Sequence, residues 1–262
     1  MNALYADRRG QVLDPLGGLP DLLARRLRFV GEAQARIRED YLRILRFFRF
    51  YAWYGDPQQG PDAEALAACA ALSEGIDGLS RERIGAEMRK LLAAPDPAPA
   101  LGSMAAAGVL ARVLPGADSS ALGPLVHLEA AEPVRWLRRL AVIGGAGLAE
   151  NLRLSRAENV TVAQIRDAIG SFATPAALGW EFGQNTATDA ILARAAVLQS
   201  PLPPEWRAEV LRGAKARFPV KAADLSDLQG PALGQRLKLL QTRWLDGDLR
   251  PTKAALLRGR DD

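Results

Sequence analysis

The sequence predicts a mostly α-helical chain: residual short β-strands at the N-terminus, then an elongated multi-helix body. Three observations carry that expectation. From Gly31 onward apolar residues recur at helical spacing, with turn residues between the runs. Residues 1–31 have a different texture, with short strand-like segments separated by "RRG" and "PLGG" turns. No fixed-period repeat or low-complexity tract interrupts the chain, so contacts between successive helices dominate and favour an extended body.

Taken in order, "NALYAD", "QVLDP" and "RLRFVG" read as strands. "PDLLARR" between them reads as a brief helix, with Pro20 in its first turn and Asp21 near its start. A few short strands cannot bury two faces unaided, so they resemble the edge of a larger sheet. The first long helix is expected from about Glu32 to Tyr54, ending at "GDPQQGP". "DAEALAACAALSEG" and "SRERIGAEMRKLLAA" follow, the latter with Ser80 as N-cap and Arg83 and Glu87 as an i,i+4 pair. "PDPAPA" breaks the chain near residue 97. Beyond it come "ALGSMAAAGVLARVLPG" and "EPVRWLRRLAVIGGAG", with Pro133 in the first turn of the latter. "LAENLRLSRAENVTVAQIRDAIGSFA" reads as a helix pair with a short joint. "TPAALGWEFGQN" connects it to "ATDAILARAAVLQS" and "PPEWRAEVLRGAKARF". "GPALGQRLKLLQTRWLDG" and a trailing "RPTKAALLRG" close the chain.

Composition narrows the function classes. With 262 residues and 48% hydrophobic content the chain can bury real cores. No apolar run approaches the roughly 20 residues that cross a bilayer, and "MNALYADRRG" lacks a signal-peptide core. One cysteine, Cys69, and one histidine, His127, exclude a disulfide framework and metal sites built on several Cys or His ligands. His127 reads as packed or exposed rather than catalytic. A cytoplasmic location is the default, with no membrane partner. Net charge is +4 and the basic residues are nearly all arginine. Guanidinium forks suit phosphates and base edges, although a GC-rich genome would also inflate arginine.

Local clustering argues further. "REDYLRILRFFRFYAWYG", residues 38–55, packs two carboxylates and four arginines among aromatic rings. At about 100° per residue, Tyr41, Ile44, Leu45 and Phe48 form one apolar wedge. Asp40 and Arg43 are neighbours on another face, which Arg46 and Arg49 continue, with Phe47 and Phe50 among them. Such a carboxylate and guanidinium can simply pair on the surface for a few tenths of a kcal/mol, about 0.2–0.5. Held in a cleft, they present an acceptor beside a donor fork, which matches the polar edge of cytosine or adenine. Arg46 and Arg49 are spaced to meet a triphosphate.

The first fifty residues closely resemble the class II tRNA nucleotidyltransferase and poly(A) polymerase family, which includes the CCA-adding enzymes. "MNALYAD" is similar to the tail of the arginine-arginine-aspartate block, "DPLGGLPDL" to the hinge block, and "EDYLR" to the nucleotide-selecting block. "SRERIGAEMRKLL" resembles the helix that braces the selecting helix. "LRLSRAE" and "GPALGQRLKLLQTRWLDG" resemble body and terminal segments. The resemblance implies that Asp40 and Arg43 read incoming CTP or ATP by imitating a base-pairing edge. It implies that Arg46 and Arg49 join the nucleotide site, that Glu39 orients the pair, and that the helical body and tail grip tRNA. By the same likeness, residues 1–31 are a remnant of a nucleotidyltransferase head, 32–95 a neck, 96–200 a body and 201–262 an RNA-binding tail.

The family's transfer chemistry uses magnesium held by an Asp-x-Asp pair on a head sheet. The sole Asp-x-Asp here, Asp246-Gly247-Asp248, follows a helix end and reads as a turn, so no catalytic residue and no metal ligand is assigned. The acidic face of Glu82 and Glu87 reads as structural, and "IGGAGLAEN" as a helix joint rather than a phosphate loop. The expectation is therefore a neck-body-tail portion, with Met1 matching an interior position of the family pattern and no stand-alone transfer. The alternatives are the tRNA-binding part of a split enzyme whose head is a separate polypeptide, a poly(A) polymerase, or a non-catalytic RNA-binding module.

Overall fold

The computed structural model describes residues 4–129 and 132–258. Asn2 and Ala3 of the first expected strand lie outside the described residues, as does Gly259 of the last helix. The chain divides into two units, Met1–Ala163 and Gln164–Asp262.

The first unit opens on two short antiparallel strands, β1 (Tyr5–Ala6) and β2 (Val12–Leu13), with Tyr5 opposite Leu13. Both are exposed on all their residues. Asp7 closes the turn between them by accepting from the backbone N–H groups of Arg9 and Gln11 at 2.8 Å each. The brief helix α1 (Leu19–Leu23) carries Pro20 in its first turn, as its sequence requires. "RLRFVG", expected as a third strand, is not one: among the described residues no strand pairs with it, and Arg26 and Arg28 turn back onto Asp21.

The expected long helix from Glu32 to Tyr54 is two helices, α2 (Ala33–Glu39) and α3 (Leu42–Tyr54). Asp40 adopts an extended conformation between them, φ −158° and ψ 104°. Its own side chain explains the break. The carboxylate accepts from the Leu42 N–H at 3.1 Å and its carbonyl from the Arg43 N–H at 3.0 Å, so Asp40 ends one helix while starting the next. Tyr41 then lies flat on Gly75, where a Cβ would fall 1.9 Å from the ring.

Ile44, Leu45 and Phe48 are buried as the periodicity requires, with Leu42, Phe47 and Tyr51 beside them. Phe47, expected among the arginines, is also buried. α3 packs on α5 (Arg81–Leu92) and α6 (Ala98–Ala106), and α2 on α4 (Ala63–Ala71). Ser80 caps α5, accepting from the Arg83 N–H at 3.4 Å. A left-handed Gly108, φ 72°, splits the next expected helix into α6 and α7 (Val109–Val113). The remaining helices of this unit are α8 (Leu122–Leu128), α9 (Trp136–Ile143) and α10 (Leu148–Asn151), with α11 (Arg156–Ile169) running across the unit boundary. α9 starts later than expected, leaving Pro133 outside it.

The second unit is built on α12 (Pro175–Val197) and α13 (Trp206–Lys215). "TPAALGWEFGQN", expected as a connection, is helical from Pro175, with a kink at Gly183 where φ is 76°. Gly179 and Gly213 let the two backbones meet: a Cβ on Gly213 would lie 1.9 Å from the Ala176 carbonyl oxygen, and one on Gly179 2.3 Å from that of Val210. α14 (Gly230–Asp246) and α15 (Lys253–Arg258) complete it around a cluster of Val220, Leu225, Leu240, Trp244 and Leu256. Trp180 and Phe218 each meet the Trp244 ring at 5.5 Å. No helix among the described residues is long and apolar enough to cross a membrane.

Candidate functional site

A hollow of about 500 Å³ opens in the first unit between the segment around residues 16–31, α2, α3 and the start of α4. Its wall mixes aromatic rings with guanidinium groups: Phe29, Phe47 and Phe50 beside Arg36, Arg43 and Arg46. Phe29 stacks on Phe47 with centroids 5.7 Å apart, so the aromatic side of the wall is a packed surface. Arg26 and Arg28 also reach it, both held by Asp21. Partial burial pushes the Asp21 carboxyl up, but the bonds from Arg28 and Arg26 outweigh that and leave it below the ordinary range.

Arg43 is on this wall and is held in place. Its Nη1 donates to the Arg36 carbonyl at 2.8 Å and to Glu39 Oε2 at 2.5 Å. Glu39 also takes Arg36 Nη1 at 3.0 Å, and the bond from Arg36, then that from Arg43, lowers its carboxyl pKa. Glu39 thus binds Arg43 and Arg36 by its carboxylate.

Asp40 stands just outside the lining. Its carboxylate is 26% exposed and lies 3.9 Å from Arg46 Nη1, a group on the wall. Both oxygens accept from Arg83 Nη2, each at 3.0 Å. Asp40 and Arg43 therefore do not pair with each other; each has a separate partner. Arg46 Nε is 3.7 Å from Glu87. Arg49 lies outside the lining, its Nε 2.8 Å from Glu87 Oε2 and its guanidinium over the Phe50 ring at 4.3 Å. That Arg49–Glu87 contact is close but off the N–H axis, an ion pair without an aligned hydrogen bond.

The expected Arg83–Glu87 pair within α5 does not form, because both side chains reach across to α2 and α3 instead. Interhelical partners were invisible to spacing rules, which see only one helix. The same holds for Arg36, seven residues before Arg43, whose carbonyl accepts from that guanidinium.

A buried cluster fixes the far end of α5. Arg138 and Arg139 are fully buried, and Glu129 accepts from Arg138 Nε at 2.7 Å and Arg139 Nε at 2.9 Å. Arg139 Nη1 also donates to the Leu92 and Ala94 carbonyls at 2.7 and 2.5 Å, and Nη2 to that of Pro95 at 3.1 Å. Leu92 closes α5 and Ala94 and Pro95 lie just beyond it, so Arg139 takes up the last carbonyl of the helix and two of the turn that follows. The sequence signal was two adjacent arginines in the apolar run "WLRRLAVI", a place where solvated charge cannot stay.

His127 is exposed and Cys69 is buried, its thiol pushed up to about 12 by burial. Glu82 meets Arg153 at 2.7 Å. Among the described residues no three of His, Cys, Asp or Glu come together as a metal site. The Asp-x-Asp does not fit magnesium either. Asp248 is taken by Thr174 Oγ1 at 2.8 Å, Arg212 Nη2 at 2.6 Å and Arg250 Nε at 3.2 Å. Burial alone would raise its carboxyl, and these partners lower it instead.

The family model described as the probable RNA and SrmB-binding site of polymerase A matches residues 61–120, a stretch containing α5. The mitochondrial CCA tRNA nucleotidyltransferase 1 of Homo sapiens is 44% identical over 92 residues, 35% of this chain and 21% of that protein. The CCA-adding enzyme of Geobacillus thermodenitrificans is 40% identical over 141 residues, 54% of this chain and 31% of that one. This chain is a relative of the CCA-adding enzyme and poly(A) polymerase family.

It spans under a third of the length of these two family members. Solved CCA-adding enzymes share the fold across nearly all of it. The Bacillus stearothermophilus enzyme in complex with CTP superimposes with a TM-score of 0.66 at 24% identity, over 94% of this chain and 67% of that one. The Thermotoga maritima enzyme complexed with tRNA gives 0.65 at 16%, over 98% and 70%. At these identities the likeness is one of fold.

Proposed function

We propose that this chain supplies the nucleotide-reading and tRNA-holding parts of a CCA-adding activity, which completes tRNA 3′ ends from CTP and ATP. The observation that carries the proposal is that Arg43 and Arg46 line a hollow large enough for a nucleotide, with Asp40 beside Arg46. In the reading, the exocyclic amine of cytosine or adenine donates to Asp40. Arg43 uses Nε and Nη2, which make no hydrogen bond among the described residues, to donate to the ring nitrogen or carbonyl. Glu39 holds Arg43 by its remaining nitrogen. Arg46 and Arg49 are assigned to the phosphates, Arg49 by leaving Glu87. Segments 32–95, 96–200 and 201–262 act as neck, body and tail, and a cytoplasmic setting belongs to the same proposal.

The test is equilibrium binding of CTP to the 262-residue chain. Asp40→Ala is expected to weaken CTP by about tenfold or more, the worth of one lost base-edge contact. Unchanged affinity sinks the base-reading role and favours a non-catalytic RNA-binding module. Exposed apolar groups at the chain start, Leu16 and the 77% exposed Leu23 among them, favour a protein surface there. A separate catalytic head polypeptide would provide one. Addition of nucleotides to tRNA by the chain only when such a polypeptide is present would establish that form.

A further inference from the structure

Beyond the hollow, the aromatic face of α3 continues into open solvent. Phe50 lines the hollow, Tyr54 meets it one turn later with centroids 6.2 Å apart, and Trp53 meets Tyr54 at 6.5 Å. Neither Tyr54 nor Trp53 belongs to the lining. They stay 49% and 43% exposed on a helix whose Phe47, Phe48 and Tyr51 are buried. Single exposed apolar residues are ordinary, whereas adjoining rings left open in a row mark a binding face.

The row is held in place and carries positive charge. Trp53 Nε1 donates to the Lys90 carbonyl at 2.7 Å, one of the last four of α5, so one edge of the indole is pinned before anything binds. Lys90 is exposed, and its ammonium makes no ion pair among the described residues. The Arg49 guanidinium, paired with Glu87, stands over the Phe50 ring at 4.3 Å. Asp56, the next acid along the chain, is turned into its own loop, accepting from the Gln58 N–H at 3.0 Å and Gln59 Nε2 at 2.9 Å. Open rings beside cations fit a strand that offers π faces and phosphates together, which is unpaired RNA. A duplex does not fit: its bases are stacked on one another, and it presents backbone and groove edges.

Resting on the tRNA-holding reading of this chain, we propose that Trp53 and Tyr54 form a stacking site for the unpaired 3′ end of the acceptor RNA. Continuity with the hollow sets its place. An RNA end that receives a nucleotide held there must pass the rim, and Phe50 joins the rim to Tyr54. Every base has a π face, so the rings hold the strand without reading its sequence.

The experiment measures fluorescence anisotropy of labelled acceptor-arm hairpins, one blunt and one with unpaired 3′ nucleotides. They are titrated with the unaltered 262-residue chain, Trp53→Ala, Tyr54→Ala, Tyr54→Leu and Tyr54→Phe, with thermal unfolding of each. No nucleotide is added, so the result does not depend on base reading at Asp40. The unaltered chain is expected to hold the overhang RNA about tenfold tighter than the blunt one. Each alanine variant should lose about fivefold or more of that advantage with blunt affinity little changed. Tyr54→Leu, apolar without a π face, should lose it too, and Tyr54→Phe should keep it. An unchanged advantage in both alanine variants overturns the proposal, as does an equal loss on both RNAs, which would make the rings a duplex contact. If the unaltered chain binds both RNAs alike, the stacking site alone fails. If it binds neither, the tRNA-holding reading fails and the stacking site with it. Where Trp53→Ala loses its thermal transition, the Tyr54 variants, which break no hydrogen bond to the Lys90 carbonyl, carry the readout.

Discussion

α3 against α5 and α12 against α13 are both helix pairs, held together by opposite means. α12 and α13 meet backbone to backbone, through Gly179 and Gly213 and a row of buried alanines. α3 and α5 are joined over an apolar strip by charge. Arg83 reaches Asp40 just ahead of α3, Glu87 reaches Arg49, and the Trp53 indole N–H donates to the Lys90 carbonyl at 2.7 Å. The contrast separates scaffold from site. A glycine contact has no group to offer a ligand, and any added atom disrupts it. The Arg83–Asp40 pair joins part-exposed side chains and contributes little to stability, roughly 0–1 kcal/mol, so it can exchange partners at low cost, whereas Glu87 is buried against Arg49. The region proposed to read a nucleotide is built from the second kind.

The largest expected effect strikes a place where the charges are fully buried. Arg139→Ala strips Glu129 of a buried partner and leaves the Leu92, Ala94 and Pro95 carbonyls without their donor. A loss of ~3–5 kcal/mol is expected in denaturant unfolding. A loss below ~1 kcal/mol would show that α5 does not depend on that grip.

Gly213→Ala tests the other pair. With the Ala176 oxygen 1.9 Å from the new Cβ, the backbones must part, at a cost of ~1–3 kcal/mol in thermal or chemical unfolding. CTP binding in the first unit should not change, and a parallel loss there would erase the distinction between scaffold and site.

Acid gives the smallest effect. Burial raises the Glu158 carboxyl, but bonds from Arg89, Ser155 and the Ser155 backbone outweigh it, so its pKa in the folded chain is lowered. A lowered folded pKa means the contribution is present above the unfolded value, about pH 4, and is lost as pH falls through the folded one. Glu158 anchors Arg89 of α5. Hydrogen exchange below about pH 4 should therefore loosen the α5 edge while the amides around Gly179 and Gly213 keep their protection. The reverse order would contradict the division.

Much of this was legible in the residues. Ile44, Leu45 and Phe48 are buried where helical periodicity puts them, and Ser80 caps the helix it precedes. Pro20 and the first two of the three expected strand segments also stand in the expected elements. The break at Asp40 was less legible, because the same residue can sit in a helix or cap one, and the apolar pattern runs through it undisturbed. "TPAALGWEFGQN" differs in the other direction: expected as the stretch between two helices, it is helical from Pro175, with Gly179 there for close packing and Gly183 bending the chain.

By itself the sequence determined the helical class, the core stripe of α3, and the grouping of Glu39, Asp40, Arg43, Arg46 and Arg49 within one short segment. Those are properties of neighbours along the chain, which covalent spacing and helix pitch dictate. The tertiary structure alone decided who holds whom: Arg83 on Asp40, Glu87 on Arg49, and Arg139 at the end of α5. A guanidinium reaches several ångströms and finds any carboxylate that packing brings near. Its partner is therefore set by which helices meet, and no spacing rule within one helix contains that information.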